Sequence, residues 1–401
     1  MHNIPTITLK PKKEVPILGG HPWIFSNGVE KENKSLTPGS LVKVLASNGQ
    51  ELGIGTYSPL TNIRVRLLTR NSNEEIDAAF FEKRFAELNE WKQKHIPPST
   101  NGYRLIHAET DMFPGLIIDR YNDTFVFQIH TAGMENFRQE IVNALKKVFS
   151  PRVIVERSDI EFRKSEGLKD MPITIHLGNV DEPVTFQENG HTFQADVMHG
   201  QKTGFFLDQR DARAEVGKLS VNKRVLNLFS YTGAFSVYAA KNNASQVTSI
   251  DISKPALEQA KQNFTLNGLD PNDTEKYAFE DHDIFDLIGR TQLPHGPYDL
   301  IICDPPALAK TEAHVPNASK AYMMLNQNCF THLQKGGILV TSSCSGRITQ
   351  EAFRDILRIA AGRAHKQVKL LKWITQPADH AESLGFSEGR YLKTAVLEVV
   401  A

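Results

Sequence analysis

A chain of 401 residues exceeds what one hydrophobic core usually holds, about 250 residues, so two or three domains are expected. Hydrophobic residues at 40% and charged residues at 23% exclude disordered and collagen-like chains and describe a globular protein. Forty-six basic residues balance 46 acidic ones, which removes long-range attraction to polyanions and leaves local basic patches to meet nucleic acid.

Three cysteines, Cys303, Cys329 and Cys344, have no paired spacing, which speaks against a disulfide framework or a zinc site and fits a reducing cytoplasm. No metal is expected. The first residues lack the apolar core of a signal peptide, and no run approaches the roughly 18 apolar residues of a membrane span. A cytoplasmic protein without a membrane partner is therefore expected, and the sequence leaves a homodimer open.

Residues 1–72 read as short strands in a small β-barrel, with turns at Gly19-Gly20, Pro38-Gly39, Asn48-Gly49 and Gly53 to Gly55. Alternation along residues 63–67 places Arg64 and Arg66, with Arg70, on one solvent-facing side, where they either meet phosphates or are simply hydrated. Residues 73–183 read as a central α+β domain. Phe80, Phe81, Phe85, Leu88 and Trp91 recur at helical spacing. A β-β-α-β unit follows, with strands at 115–119, 125–129 and 153–156.

From residue 184 to 401 strands alternate with helices, the pattern of a Rossmann-like parallel sheet covered on both faces. The stretch 224–251 sets the frame. An apolar strand runs into Phe229-Ser230-Tyr231-Thr232-Gly233, an alanine-rich helix follows, and a second strand delivers Asp251 about 20 residues beyond the loop, the usual place for a carboxylate on ribose hydroxyls. Ser253 reads as the N-cap of the next helix, with Pro255 in its first turn. A third strand at 277–279 leads to Asp283, and a fourth, Tyr298–Cys303, ends at Asp304-Pro305-Pro306. A helix at 319–333 is stopped by Gly336-Gly337. The fifth strand, 338–342, ends at Ser343-Cys344-Ser345-Gly346. In an open α/β sheet the ligand crevice lies beyond the carboxyl ends of the strands, so these groups should converge there.

A pyrophosphate dinucleotide calls for G-x-G-x-x-G, and this loop holds Gly233 alone. S-Adenosylmethionine carries no phosphate and fits a single close-approach glycine beside polar side chains. The expected contacts are Phe229, Ser230, Tyr231, Thr232 and Gly233, then Asp251 and Ser253, Asp283 toward the adenine, and Asp304 with Pro305 near the reacting methyl. A carboxylate and a cysteine at neighbouring strand ends suit methylation of a pyrimidine carbon. Cys344 would add to carbon 6 to make carbon 5 nucleophilic, and Asp304 would stabilise charge near N3. Cys303, in an apolar strand, and Cys329, in a helix, read as packing residues.

Several strings, taken together, are specific: GHPWIFSNGV at 20–29, YRLIHAETDMFPGLIIDRY at 103–121, HGQKTGFFLDQRDAR at 199–213, VLNLFSYTGAF at 225–235, CDPP at 303–306, SSCSG at 342–346 and EGRYLK at 388–393. They resemble bacterial methyltransferases that make 5-methylcytosine in 23S ribosomal RNA and carry an N-terminal PUA domain. The resemblance implies a PUA-like RNA-binding domain over 1–72, S-adenosylmethionine as cofactor, one catalytic cysteine at Cys344, and 23S ribosomal RNA or a large-subunit precursor as partner. It also implies that the segment 202–210 folds over the cofactor, with Lys202 and Gln209 as polar contacts. One departure stands out: the family commonly has Lys-Phe after Asp-Pro-Pro, and this chain has Ala307-Leu308. Two alternatives compete, an RNA amino-group methyltransferase, which needs no cysteine, and a catalytically silent RNA-binding assembly factor, which would not bind the cofactor.

Overall fold

A computed structural model describes residues 4–32 and 35–401. The chain forms two compact units. One holds the residues up to Gln187 with Ala195–Leu207 and Ala378–Gly389, and the other holds Glu188–Gln194, Asp208–Pro377 and Arg390–Ala401. No helix among the described residues is long and apolar enough to cross a membrane.

The first unit begins with a six-stranded mixed sheet in the order Trp23–Phe25, Ile63–Thr69, Glu51–Tyr57, Leu41–Leu45, Thr6–Leu9 and Val29–Lys31. Ile7, Leu9, Val42, Val44, Val65 and Leu67 fill one core, while Leu68 joins a second core with Phe80, Phe81, Phe85 and Phe113. The strand Ile63–Thr69 is thus buried on both faces, and the expected arginine-bearing solvent side does not form. Arg66 is 3% exposed and pairs with Glu166 at 2.7 Å, Arg64 donates to Pro59 O, and Arg70 remains exposed. A five-stranded sheet follows, ordered Thr174–Leu177, Val153–Glu156, Thr124–Ile129, Leu116–Tyr121 and Gly102–His107, with helices Ala78–His95 and Arg138–Phe149. It extends the expected β-β-α-β unit by a strand at each edge. The strand Gly102–His107 escapes a hydrophobicity reading because Arg104 lies inside it, buried in a bidentate pair with Asp119 at 2.8 Å. The distant segment Ala378–Gly389 is anchored here, since Asp379 Oδ2 accepts from Arg104 N at 3.0 Å and its carbonyl accepts from Lys92 Nζ at 2.7 Å.

The second unit is a seven-stranded sheet. Its strands in chain order are β1 Arg224–Leu228, β2 Gln246–Asp251, β3 Tyr277–Asp281, β4 Tyr298–Cys303, β5 Leu333–Ser343, β6 Val368–Ile374 and β7 Lys393–Val399, and in space they run β3-β2-β1-β4-β5-β7-β6. β1 to β5 are mutually parallel, whereas β7 runs antiparallel to both β5 and β6. The helices are α1 Arg210–Leu219, α2 Ala234–Lys241, α3 Lys254–Leu266, α4 Ile284–Leu287, α5 Val315–Thr331 and α6 Gln350–Arg363. Leu226, Leu228, Ile250, Ile301, Leu339, Phe330 and Phe353 pack into one core, with Cys303 and Cys329 fully buried among them. Contact with the Cys329 thiol and burial push the Cys303 thiol well above its usual range, as suits an inert packing residue. α5 begins earlier than its pattern suggests, with Pro316 in its first turn, and ends at Thr331. Gly336-Gly337 does not stop a helix. It lies within β5, where the pairing with β4 slips between Tyr298↔Leu333 and Leu300↔Ile338, and Gly336 takes φ 83°.

Candidate active site

Register brings the strand ends level. Leu228 pairs with Ile250 on one side and Cys303 on the other, and Cys303 pairs with Thr341. The residues that follow these positions therefore share one rim: Phe229 to Gly233, Asp251, Asp304 and Cys344. Because β7 is antiparallel, its first residue reaches the same rim, with Lys393 opposite Ser343.

The loop after β1 is tightly bent. Phe229, Tyr231 and Gly233 have φ of 59°, 45° and 74°. A left-handed conformation at two bulky residues is costly, and loops of this kind concentrate at ligand sites. Backbone bonds hold it: Ser230 N donates to Ile250 O at 2.9 Å and Gly233 N to Ser230 O at 2.8 Å. Asp251 completes the brace, accepting Tyr231 N at 2.8 Å on one oxygen and Ser253 N at 2.9 Å on the other. Gly233 is also required by the packing of the neighbouring helix. A Cβ there would stand 2.7 Å from the Ala260 Cβ of α3, so the glycine admits a neighbouring helix as well as a left-handed turn.

The hydroxyls of Ser230 and Thr232 are buried and have no hydrogen-bond partner among the described residues. Two orphaned donors in a bent loop beside a strand-end carboxylate fit a polar, nucleoside-containing ligand such as S-adenosylmethionine. Ser253 Oγ caps α3 by accepting Ala256 N at 3.3 Å, as its position predicts. Asp283 is exposed and caps α4, accepting Phe285 N at 2.9 Å. Lys202 falls in the first unit, exposed, with its ammonium 4.3 Å from the centre of the Phe206 ring.

Asp304 is half-buried, with Pro305 buried and Pro306 exposed after it. Gln209, at the head of α1, donates from Nε2 to Asp304 Oδ1 at 2.8 Å. Its neighbour Asp208 accepts the Tyr391 hydroxyl at 2.8 Å. α1 itself is fixed by Arg213, whose guanidinium makes two bonds of 2.7 and 2.6 Å to the buried Glu188 carboxylate. Removing one partner of such a pair strands a buried charge, at a cost of about 3–5 kcal/mol.

The Cys344 turn is pinned from three directions. Ser345 Oγ accepts Ala309 N at 3.1 Å, from the segment after Asp-Pro-Pro, and lies 3.2 Å from the Tyr322 hydroxyl of α5. Lys393 Nζ donates to Ser345 O at 2.7 Å and to Tyr391 O at 2.9 Å. The replacement of Lys-Phe by Ala307-Leu308 is accommodated here: Ala307 is exposed and Leu308 packs against the core. Burial raises the Tyr322 hydroxyl to about 12, helped by the charges of Cys344 and Asp304. Burial also lowers the Lys393 ammonium to about 8, while the Cys344 thiolate pulls the other way. Sequence reasoning singled out Asp304, Cys344 and Gln209 but missed Lys393, Tyr322 and Ser345. For Lys393 the signal was its place at the end of the EGRYLK string.

The sheet order, the bent loop and the rim of carboxylates define a methyltransferase that uses S-adenosylmethionine. Comparison with known proteins agrees. Residues 172–375 match the S-adenosylmethionine-dependent methyltransferase family and residues 7–70 a PUA-like domain. The chain is 40% identical to the ribosomal RNA large subunit methyltransferase I of Aeromonas salmonicida over 98% of each chain, and 39% identical to that of Tolumonas auensis over 98% and 99%. Among solved structures, a methyltransferase crystallised with S-adenosylhomocysteine shares 26% identity at a TM-score of 0.83, covering 99% of this chain and all of that one. The chain belongs to the ribosomal RNA large subunit methyltransferase I family.

Proposed function

We propose that the protein methylates carbon 5 of a cytosine in large-subunit ribosomal RNA, 23S RNA or a precursor, through a covalent cysteine adduct. The observation that carries this reading is the joining of the Asp304 and Cys344 strand ends through Ala309 N and Ser345 Oγ at 3.1 Å. That bond ties the segment after Asp304 to the turn that carries Cys344, which supports a reading with an acid and a thiol at one site.

S-Adenosylmethionine, when bound, supplies an electrophilic methyl group. Phe229 to Gly233 would hold it, with the free hydroxyls of Ser230 and Thr232 as donors, Asp251 toward the ribose, and Asp283 and Ser253 at the margin. Cys344 Sγ adds to carbon 6, and the displaced electron pair makes carbon 5 nucleophilic while charge gathers at N3. Asp304, oriented by Gln209, faces that charge, and Pro305 keeps the carboxylate rigid. Once carbon 5 carries the methyl, loss of its proton drives out the sulfur and restores the ring. A base within folded RNA must be unstacked to reach this rim. The PUA-like domain would hold the RNA.

Cys344→Ala tests this reading. Methyl transfer to ribosomal RNA should fall by at least a thousandfold while S-adenosylmethionine binding by calorimetry persists. Full retention of transfer would instead favour amino-group chemistry, and absence of cofactor binding in the unaltered protein would favour a silent assembly factor.

A further inference from the structure

We infer that Lys393 is a positioning residue that holds Cys344 in its thiolate form, and the inference rests on Cys344 being the nucleophile. A free thiol in an ordinary setting is mostly protonated at neutral pH, so a cysteine that must add to carbon 6 needs a nearby cation or a base. The antiparallel course of β7 supplies the cation. Lys393 is its first residue, stands opposite Ser343 on β5, and is 5% exposed. Its Nζ is tied to the carbonyls of Ser345, next to the cysteine, and Tyr391. Two carbonyl acceptors fix where the ammonium sits but carry no full charge, so they leave the cation's field available to the thiol.

The other titratable groups around the turn do not compete for this role. Asp304, at the end of β4, opposes a thiolate by repulsion. Tyr322, on α5, keeps its proton and touches Ser345. The Tyr391 hydroxyl is engaged with Asp208. Burial disfavours the charged form of Lys393, and a thiolate at Cys344 works against that by favouring the ammonium. By linkage the same attraction must favour the thiolate.

The test is the pH profile of Cys344 alkylation by iodoacetamide, followed by mass spectrometry of its peptide, with buried Cys303 and Cys329 as unreactive internal references. In the unaltered protein the midpoint should lie at least one pH unit below that of an ordinary thiol, about 8.5. Lys393→Met should raise it and slow alkylation at pH 7 about tenfold, and Lys393→Arg should restore it. A midpoint at or above 8.5 in the unaltered protein overturns the inference without needing any variant to fold. An unchanged midpoint in a folded Lys393→Met protein also overturns it. Neither result touches the role of Cys344, which stands or falls with methyl transfer by Cys344→Ala.

Discussion

The Gln209 amide reaches Asp304 across 95 positions of sequence, and this bond makes a prediction at the scale of one side chain. Gln209→Leu keeps the volume and removes the donor, so the Asp304 carboxylate loses its orientation and one hydrogen bond. A bond to a charged group is worth about 1.5–3 kcal/mol, which corresponds to a fall of roughly 10- to 100-fold in the rate of transfer. Cofactor affinity should change far less, because Gln209 would act through Asp304, which faces charge developing on the acceptor base. Equal losses in both, measured by single-turnover kinetics and calorimetry, would place Gln209 on the cofactor. Asp304, Cys344 and Gln209 were legible because each occupies a defined place, two at strand ends and one in a distinctive string. The bond between Gln209 and Asp304 was not, since it depends on how α1 packs against the sheet.

Among the elements, the β1–α2 loop carries the clearest test. Gly233→Ala places a methyl group 2.7 Å from Ala260 Cβ at a φ of 74°, so two penalties combine. A loss of about 1–3 kcal/mol in denaturant unfolding is expected, with weaker cofactor binding. The double variant Gly233→Ala, Ala260→Gly should recover the steric part and leave the backbone part. No recovery would mean that α3 does not set the spacing. β4 was read at its true bounds because the apolar residues 300–303 run straight into Asp-Pro-Pro. β7 shows the limit of that signature. No strand is expected over 393–399 because Lys393, Thr394 and Glu398 break up its apolar residues, although most of it is buried, and nothing in a local pattern says which way a strand runs. Arg66 shows another limit, because alternation implies a wet face only when one side of the strand meets water.

Over the whole molecule, buried histidines predict acid sensitivity. Burial holds His130 at about 4, with Arg104 and Arg163 adding to the effect, and burial likewise holds His107 well below the ordinary value. An unfolded histidine titrates near 6.5, so below that pH the unfolded chain binds protons that the native state does not. The contribution is complete above pH 6.5 and is lost as the pH falls toward 4. For His130 the loss is at most roughly 3 kcal/mol. Melting temperature should therefore drop between pH 6.5 and 4.5, and His130→Asn should flatten that drop. An unchanged pH slope in the variant would show that His130 is protonated in the folded protein.

The position of β7 between β5 and β6 has a consequence for synthesis. A nascent chain that has been made as far as Ile374 has β6 without a neighbour and β5 with an open edge, because the strand that joins them is made last of the seven. Lys393 arrives with that strand. A ribosome-bound intermediate could already have the loop after β1 and the Asp304 turn in place, yet its thiol would lack the ammonium beside it. On the reading proposed for Cys344, its thiol would gain that cation only when the sheet closes.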